Sequence, residues 1–175
     1  PVSFNFMTIN ERKQNRISVS NLHYFLNANY FHVYISQKER SSTNENQGVL
    51  LKEKGYILEC PSSAQVADFC IDFLVRKGTT KPIIDYMKSS NMFTDKELKK
   101  VPAKDFNLVK YDKDYQLFFF ENTAVKVTAN GVQFLPNKDV KNYVFKENII
   151  KGSLSKYKET FFEPYKDEKG NNRVK

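Results

Sequence analysis

Residues 112–150, DKDYQLFFFENTAVKVTANGVQFLPNKDVKNYVFKENII, carry the clearest fold signal in the chain. Tyr115, Leu117 and Phe119 alternate with Gln116, Phe118 and Phe120, and Glu121-Asn122 then breaks the run. Val125 and Val127 alternate with Lys126 and Thr128. Asn130-Gly131 follows, then Val132, Phe134 and Leu135, and Pro136-Asn137 ends the third run. Period-two alternation in β-branched and aromatic residues predicts strands. Asn-Gly suits a tight turn because both residues tolerate positive φ. The expected product is a three-stranded meander with Val125 and Val127 facing the core, since a one-residue slip would turn both to solvent. The unbroken run Leu117 to Phe120 predicts a strand buried on both faces.

Upstream, Ser20 or Asn21 can cap a short helix through Leu22, Tyr24, Phe25 and Leu26. Tyr30 to Ile35 reads as a strand, and the segment Glu39 to Gln47, with no apolar residue, as a loop. Val49-Leu50-Leu51 and Tyr56-Ile57-Leu58 flank a Glu53-Lys54-Gly55 turn, which predicts a second hairpin. Ser62 with Gln65 three residues on is a capping-box signature. The helix it opens aligns Val66, Phe69, Cys70, Phe73 and Leu74 on one face, and Arg76-Lys77-Gly78 suits its end. Pro82 opens another helix with Ile83, Tyr86 and Met87 on its apolar face. Thr94 and Glu97 form a second capping-box signature, before Leu98. Residues 1–18 are polar and broken, and the end, KDEKGNNRVK, reads as unstructured.

These elements predict an α+β fold, with hairpins or a meander packed on two or three short helices. Two helices followed by a hairpin also give the element order of a winged helix. Three segments are expected: 1–46 with a short helix and strand, 47–150 as the α+β domain, and 151–175 as a basic tail.

Aromatic residues make up 14% of the chain and hydrophobic residues 40%, enough for a real core. No apolar run approaches the ~18 residues that span a bilayer. The start at Pro1 lacks a signal-peptide pattern and predicts a processed or shortened product. Cys60 and Cys70 have no metal-ligand spacing and no disulfide framework, which fits a reducing cytoplasm.

The net charge is +8, spread thinly, and Lys outnumbers Arg 23 to 5. Bidentate reading of phosphates or bases would favour Arg. Weak, sequence-independent contact with nucleic acid is compatible with this balance. Arg76, Lys77 and Lys81 near the helix end, with Lys138, Lys141 and Lys146 after the hairpin, are the candidate DNA-binding residues.

Other candidates fail on chemistry. Arg76 to Lys81 has one Gly and no Gly-Lys pair, so it is a helix end and not a phosphate loop. Asp112 and Asp114 resemble a Mg²⁺-binding pair, but Lys110 and Lys113 beside them suit a solvated turn. His23 and His32 sit among aromatics with no nucleophile motif, so they read as packing histidines. No catalytic residue, metal ligand or cofactor is assigned to this chain.

From Gly48 to Ile150 four patterns stand in one order: GYILECPSSAQVADFCIDFLVRKG, MFTDKELKKVPA, FNLVKYDKDYQLFFFENTAVKVTANGVQFLP and DVKNYVFKENII. In this order they resemble the region preceding the superfamily 3 helicase motor in primase-helicases of Bacteroides-type phages and integrated mobile elements. The resemblance rests on Phe118 to Phe120, Asn122, Val125, Val127, Thr128, Gly131, Tyr143, Ile149 and Ile150. Thr123, Asn142 and Phe145 depart from the Gly, Gly and Trp usual there. The resemblance implies a non-catalytic accessory domain that binds DNA or positions the motor. Its expected partners are DNA, a helicase motor of the same polypeptide and further copies assembled through that motor, with no membrane. A protein-interaction or structural module of a mobile element, with no DNA binding, is the alternative. An enzyme with a scattered site ranks last.

Overall fold

The computed structural model describes residues 7–9, 15–36, 48–110, 112–136, 139–155, 164–166, 168–169 and 172–174. The loop expected at Glu39 to Gln47 lies outside them. The fold is α+β: among the described residues, four α-helices stand beside two four-stranded mixed sheets.

The first sheet has the order β3-β4-β5-β9, formed by Phe31–Tyr34, Val49–Lys54, Ile57–Glu59 and Val144–Phe145. β3, β4 and β5 are antiparallel, and β9 joins β5 in parallel. The second sheet has the order β10-β6-β7-β8: Ile149–Ile150, Tyr115–Phe120, Thr123–Thr128 and Gly131–Pro136. Two small hairpins complete the strands. β1 (Met7–Ile9) pairs with β2 (Asn15–Ile17), and β11 (Pro164–Lys166) pairs with β12 (Asn172–Val174). Both lie where the sequence pattern predicts no regular structure.

The helices cover one face of the first sheet. α1 (Val19–Ala28) buries Leu22, Phe25 and Leu26, and α2 (Ser63–Arg76) buries Val66, Cys70, Phe73 and Leu74. α3 (Lys81–Lys88) adds Met87, and α4 (Asp95–Leu98) adds Leu98. These pack with Phe31, Val33 and Leu50 in one cluster. On α3, Ile83 is half-buried and Tyr86 exposed, so Met87 alone of the expected face is enclosed.

Local chemistry explains the helix ends. α1 is capped by Ser18, whose Oγ accepts from the Asn21 amide; the cap lies two residues before the expected Ser20. At the other end of α1, Tyr30 has φ 65°, a left-handed conformation that costs a non-glycine residue about 1–2 kcal/mol. The capping box of α2 is complete: the Gln65 amide donates to Ser62 Oγ at 3.3 Å, and the Ser62 amide donates to Gln65 Oε1 at 2.8 Å. Its far end closes as a Schellman motif, with Gly78 at φ 72°, its amide on Val75 O and the Thr79 amide on Leu74 O. The expected second capping box does not form. Thr94 makes no side-chain cap bond, the Glu97 amide donating to Thr94 O, and the Glu97 carboxylate turns to Lys100 at 2.9 Å.

β4 is buried on both faces. Leu50 joins the helix cluster, while Leu51 joins Leu58 and Phe106 in a second cluster on the opposite face. The turn after β4 is Gly55-Tyr56, since Lys54 pairs with Ile57. Glu53, expected in that turn, is therefore a strand residue.

In the second sheet the turn pairs are Glu121-Asn122 and Ala129-Asn130. Gly131, at φ 133°, is already the first residue of β8, and Asn130 does not take positive φ. Thr128 Oγ1 closes the turn by accepting from the Asn130 amide and donating to Gly131 O. Val125 is buried as expected, at 6% exposed, and Val127 is half-buried, but the packed cluster forms on the other face. Phe119 and Ala124, with Leu117 and Leu135, face Val144 and Ile149 in a third cluster. Val125 and Val127 share the opposite face with Phe118, Val132 and Phe134. Phe118 is 37% exposed, so β6 is not buried on both sides. The helix cluster and this sheet's cluster share no residue, so the hairpin packs on a core separate from that of α2 and α3, with its Glu121 turn lining a groove beside α2.

Candidate nucleic-acid interface

The core face of the second sheet changes character toward the β7–β8 turn. Near β10 it carries Phe119, Ala124 and Leu135; toward the turn it carries Tyr115, Lys126 and Thr128. Lys126 stands diagonally across from Tyr115, with Nζ 4.3 Å from the ring centroid, a cation–π contact. Two adjoining hollows share this pair. One, of about 190 Å³, includes Lys141 and Asn142; the other, of about 470 Å³, includes Lys113 and Asn130.

Lys113, Lys126 and Lys141 therefore open onto one continuous surface around an aromatic ring. Among the described residues none of the three pairs with a carboxylate. Asp114 and Asp139 also line the hollows, so the surplus there is a single positive charge. Asp112 accepts the Asp114 amide at 2.9 Å and both are exposed, so this pair forms the turn leading into β6.

The lysines on the other side of the strap, residues 143–150, are arranged differently. A groove of about 790 Å³ runs between the start of α2, β4–β5 and the strap. Its apolar lining includes Phe31, Ile57, Phe69 and Ile149. Glu59 binds both Lys54 and Lys146 at 2.8 Å. Burial alone would raise the Glu59 carboxyl, but these two ammonium groups outweigh it and hold it below the ordinary glutamate range. Lys52 Nζ donates to Asn29 O at the end of α1 and lies 4.1 Å from the Phe31 centroid and 4.7 Å from that of Phe69. Burial lowers its proton affinity. In this groove Lys54 and Lys146 are thus paired with Glu59, and Lys52 is held by Asn29 O.

A third cluster lies on the other face of the first sheet. Glu53 Oε2 accepts from Lys104 at 2.5 Å and stands 3.5 Å from His32 Nε2, while Oε1 accepts the Tyr143 hydroxyl at 2.8 Å. His32 Nδ1 is 2.9 Å from the Asn27 side-chain amide, which sets it as acceptor and Nε2 as the protonated nitrogen. Phe106 packs edge-on to Tyr143 at 5.0 Å, beneath Lys104. The His32 and Glu53 side chains are each 12% exposed and that of Lys104 37%, and the cluster reads as a part-buried polar tie between strands.

The six residues singled out from sequence are dispersed. Arg76 donates to Asp72 O within α2, Lys77 caps α2 over the Phe73 ring, and Lys81 begins α3. Lys141 lies on the hairpin surface, Lys146 is held by Glu59, and Lys138 lies outside the described residues. Lys146 shares its groove with Gln65 and Phe69, and Arg76 is eleven residues beyond Gln65, about 16 Å along the helix axis. Lys113, Tyr115 and Lys126 were missed. The cross-strand register set by Glu121-Asn122 would have brought Lys126 beside Tyr115.

Among the described residues no helix is long and apolar enough to cross a membrane. No family model, curated protein or solved structure matches the chain.

Proposed function

We propose that this chain is a non-catalytic accessory module of a replicative primase-helicase of a phage or mobile element, and that it touches DNA through Lys113, Lys126 and Lys141 around Tyr115. The observation that carries the reading is the convergence of three lysines without carboxylate partners, among the described residues, on one half-buried aromatic ring. Lysine ammonium groups suit phosphate contact without base reading, and the half-buried Tyr115 ring fixes Lys126 beside them through its cation–π contact. The order of patterns from Gly48 to Ile150 supports the placement beside a helicase motor. ATP binding then belongs to the motor, and this chain needs no cofactor.

The test is fluorescence anisotropy with labelled single- and double-stranded oligonucleotides across a salt series. Three phosphate contacts give a log–log salt slope of about −2 to −3. Lys113→Gln, Lys126→Gln and Lys141→Gln together should abolish binding at low salt while Arg76→Gln leaves it. Equal binding by the triple variant defeats this surface. A reading frame that stops at Lys175, with no Gly-x-x-x-x-Gly-Lys-Ser/Thr loop beyond it, defeats the primase-helicase placement.

A second reading, a protein-interaction module without DNA binding, is favoured by the groove where Glu59 pairs with Lys54 and Lys146 beside an apolar lining. Under that reading no oligonucleotide binds even at low salt.

A further inference from the structure

We propose that β8 pairs, antiparallel, with β8 of a second copy of this chain. β8 is an edge of its sheet, and among the described residues no strand pairs with its outer side. Gly131, Val132, Gln133 and Phe134 are all exposed, and no residue from Gly131 to Pro136 is charged. Edge strands usually carry Lys, an inward charge or a bulge that bars pairing with another chain. Here only Pro136, at the strand end, interrupts the row of donors.

The register specifies the partner. Thr128 and Gly131 flank a two-residue turn, so they form a hydrogen-bonded pair. Alternation then makes Val127–Val132 and Val125–Phe134 the non-bonded pairs of the ladder. The N–H and C=O of Val132 and of Phe134 therefore point away from β7. Centring two copies on Gln133 sets Val132 opposite the second copy's Phe134, and Phe134 opposite its Val132. Each outward N–H meets an outward C=O, and Gln133 meets Gln133.

Side chains agree with this register. Val132 and Phe134 lie on one face, so each cross-chain pair joins a β-branched to an aromatic residue, a favourable combination. Val132 is 60% exposed and Phe134 38% exposed in the single chain. No like charges meet along the seam. The second copy is the occupant because one strand supplies both halves of this match. Pairing over about five residues a side buries well under the ~800 Å² per partner of a standard stable interface, so the dimer is reversible.

The experiment is sedimentation of the full chain over a concentration series, with amide exchange by NMR at each end of it. Mass should rise from one copy to two with concentration. The Val132 and Phe134 amides should become protected in step, while Gln133, bonded within the hairpin, stays protected throughout. The pair Val132→Lys and Phe134→Lys, with circular dichroism unchanged, should weaken association by at least about tenfold. A constant mass of one copy overturns the proposal. So does a dimer in which the Val132 and Phe134 amides exchange freely. Protection that arises only when a foreign extended peptide is added, with no self-association, assigns the edge to a different partner and also overturns it.

Discussion

The Tyr143 hydroxyl donates to Glu53 Oε1 at 2.8 Å, joining residues 90 positions apart in the chain. Through this bond the strap is tied to β4, and through Lys104 the same carboxylate holds the segment that follows α4. Tyr143→Phe should cost about 0.5–1.5 kcal/mol and Glu53→Gln about 1.5–3 kcal/mol, since the latter removes a charged acceptor. In urea unfolding the double variant should lose less than the sum, because both substitutions break one network. Strict additivity would show that the two groups do not interact.

Acid should weaken the fold in two stages. Burial lowers His32 below its ordinary 6.5, with Lys104 and Lys52 adding to the effect and Glu53 opposing it; burial also lowers His23. Both histidines thus resist protonation when folded, so their contribution is full above pH 6.5 and is lost as pH falls through their folded values. For Glu53 burial acts upward, but Lys104 and Tyr143 hold the carboxyl below 4.5, so its contribution is lost only at still lower pH. A thermal midpoint measured from pH 8 to pH 3 should fall in these two steps. His32→Asn should flatten the first.

Gly48 and Gly78 predict unequal costs for one substitution. Both have positive φ, 93° and 72°. A Cβ on Gly78 meets nothing within 4 Å, whereas one on Gly48 would lie 2.8 Å from Tyr34 O and 2.7 Å from Val33 Cγ1. Gly78→Ala should cost about 1 kcal/mol from backbone strain alone. Gly48→Ala adds a clash with fixed backbone and should cost clearly more. Conversely, Tyr30→Gly should stabilise, because Tyr30 is exposed and left-handed. Chemical denaturation ranks all three.

The two cysteines should separate on labelling. Cys60 is exposed, and Cys70 is fully buried against α1 and the first sheet. Burial raises both thiols, that of Cys70 far more. A maleimide should modify one thiol in the native protein, slowly, and the second only after urea is added. Fast double labelling without denaturant would contradict the packing of α2.

The β4–β5 hairpin, the β6–β8 meander, the α2 capping box and the apolar face of α2 were legible because turn residues and periodicity state them directly. The orientation of the β6–β8 sheet was not. Apolar residues occupy both faces of β6 and β7, so alternation could not tell Phe119, Ala124 and Leu135 from Phe118, Val125 and Phe134. The core face follows from Val144 and Ile149, which return from the far side of the hairpin. Glu53 was hidden for a related reason: Glu53-Lys54-Gly55 has turn composition, but the chain reverses one residue later. Among the lysines, charge alone could not separate Lys146, paired with Glu59, from Lys126, which faces a ring.

The strap has a mechanical consequence. β9 extends one sheet and β10 the other, both in parallel pairing, with only Lys146–Asn148 between them. Three residues span about 10 Å at most, so neither sheet can swing or slide far without peeling two residues from the other. Asn122 adds a second fastening beyond β10, gripping Leu154 through both its amide oxygen and its amide nitrogen. Torque applied to one sheet is therefore delivered to the other as though the two were a single stiff lever. A proteolytic nick at exposed Lys146–Asn148 would turn that lever into a hinge.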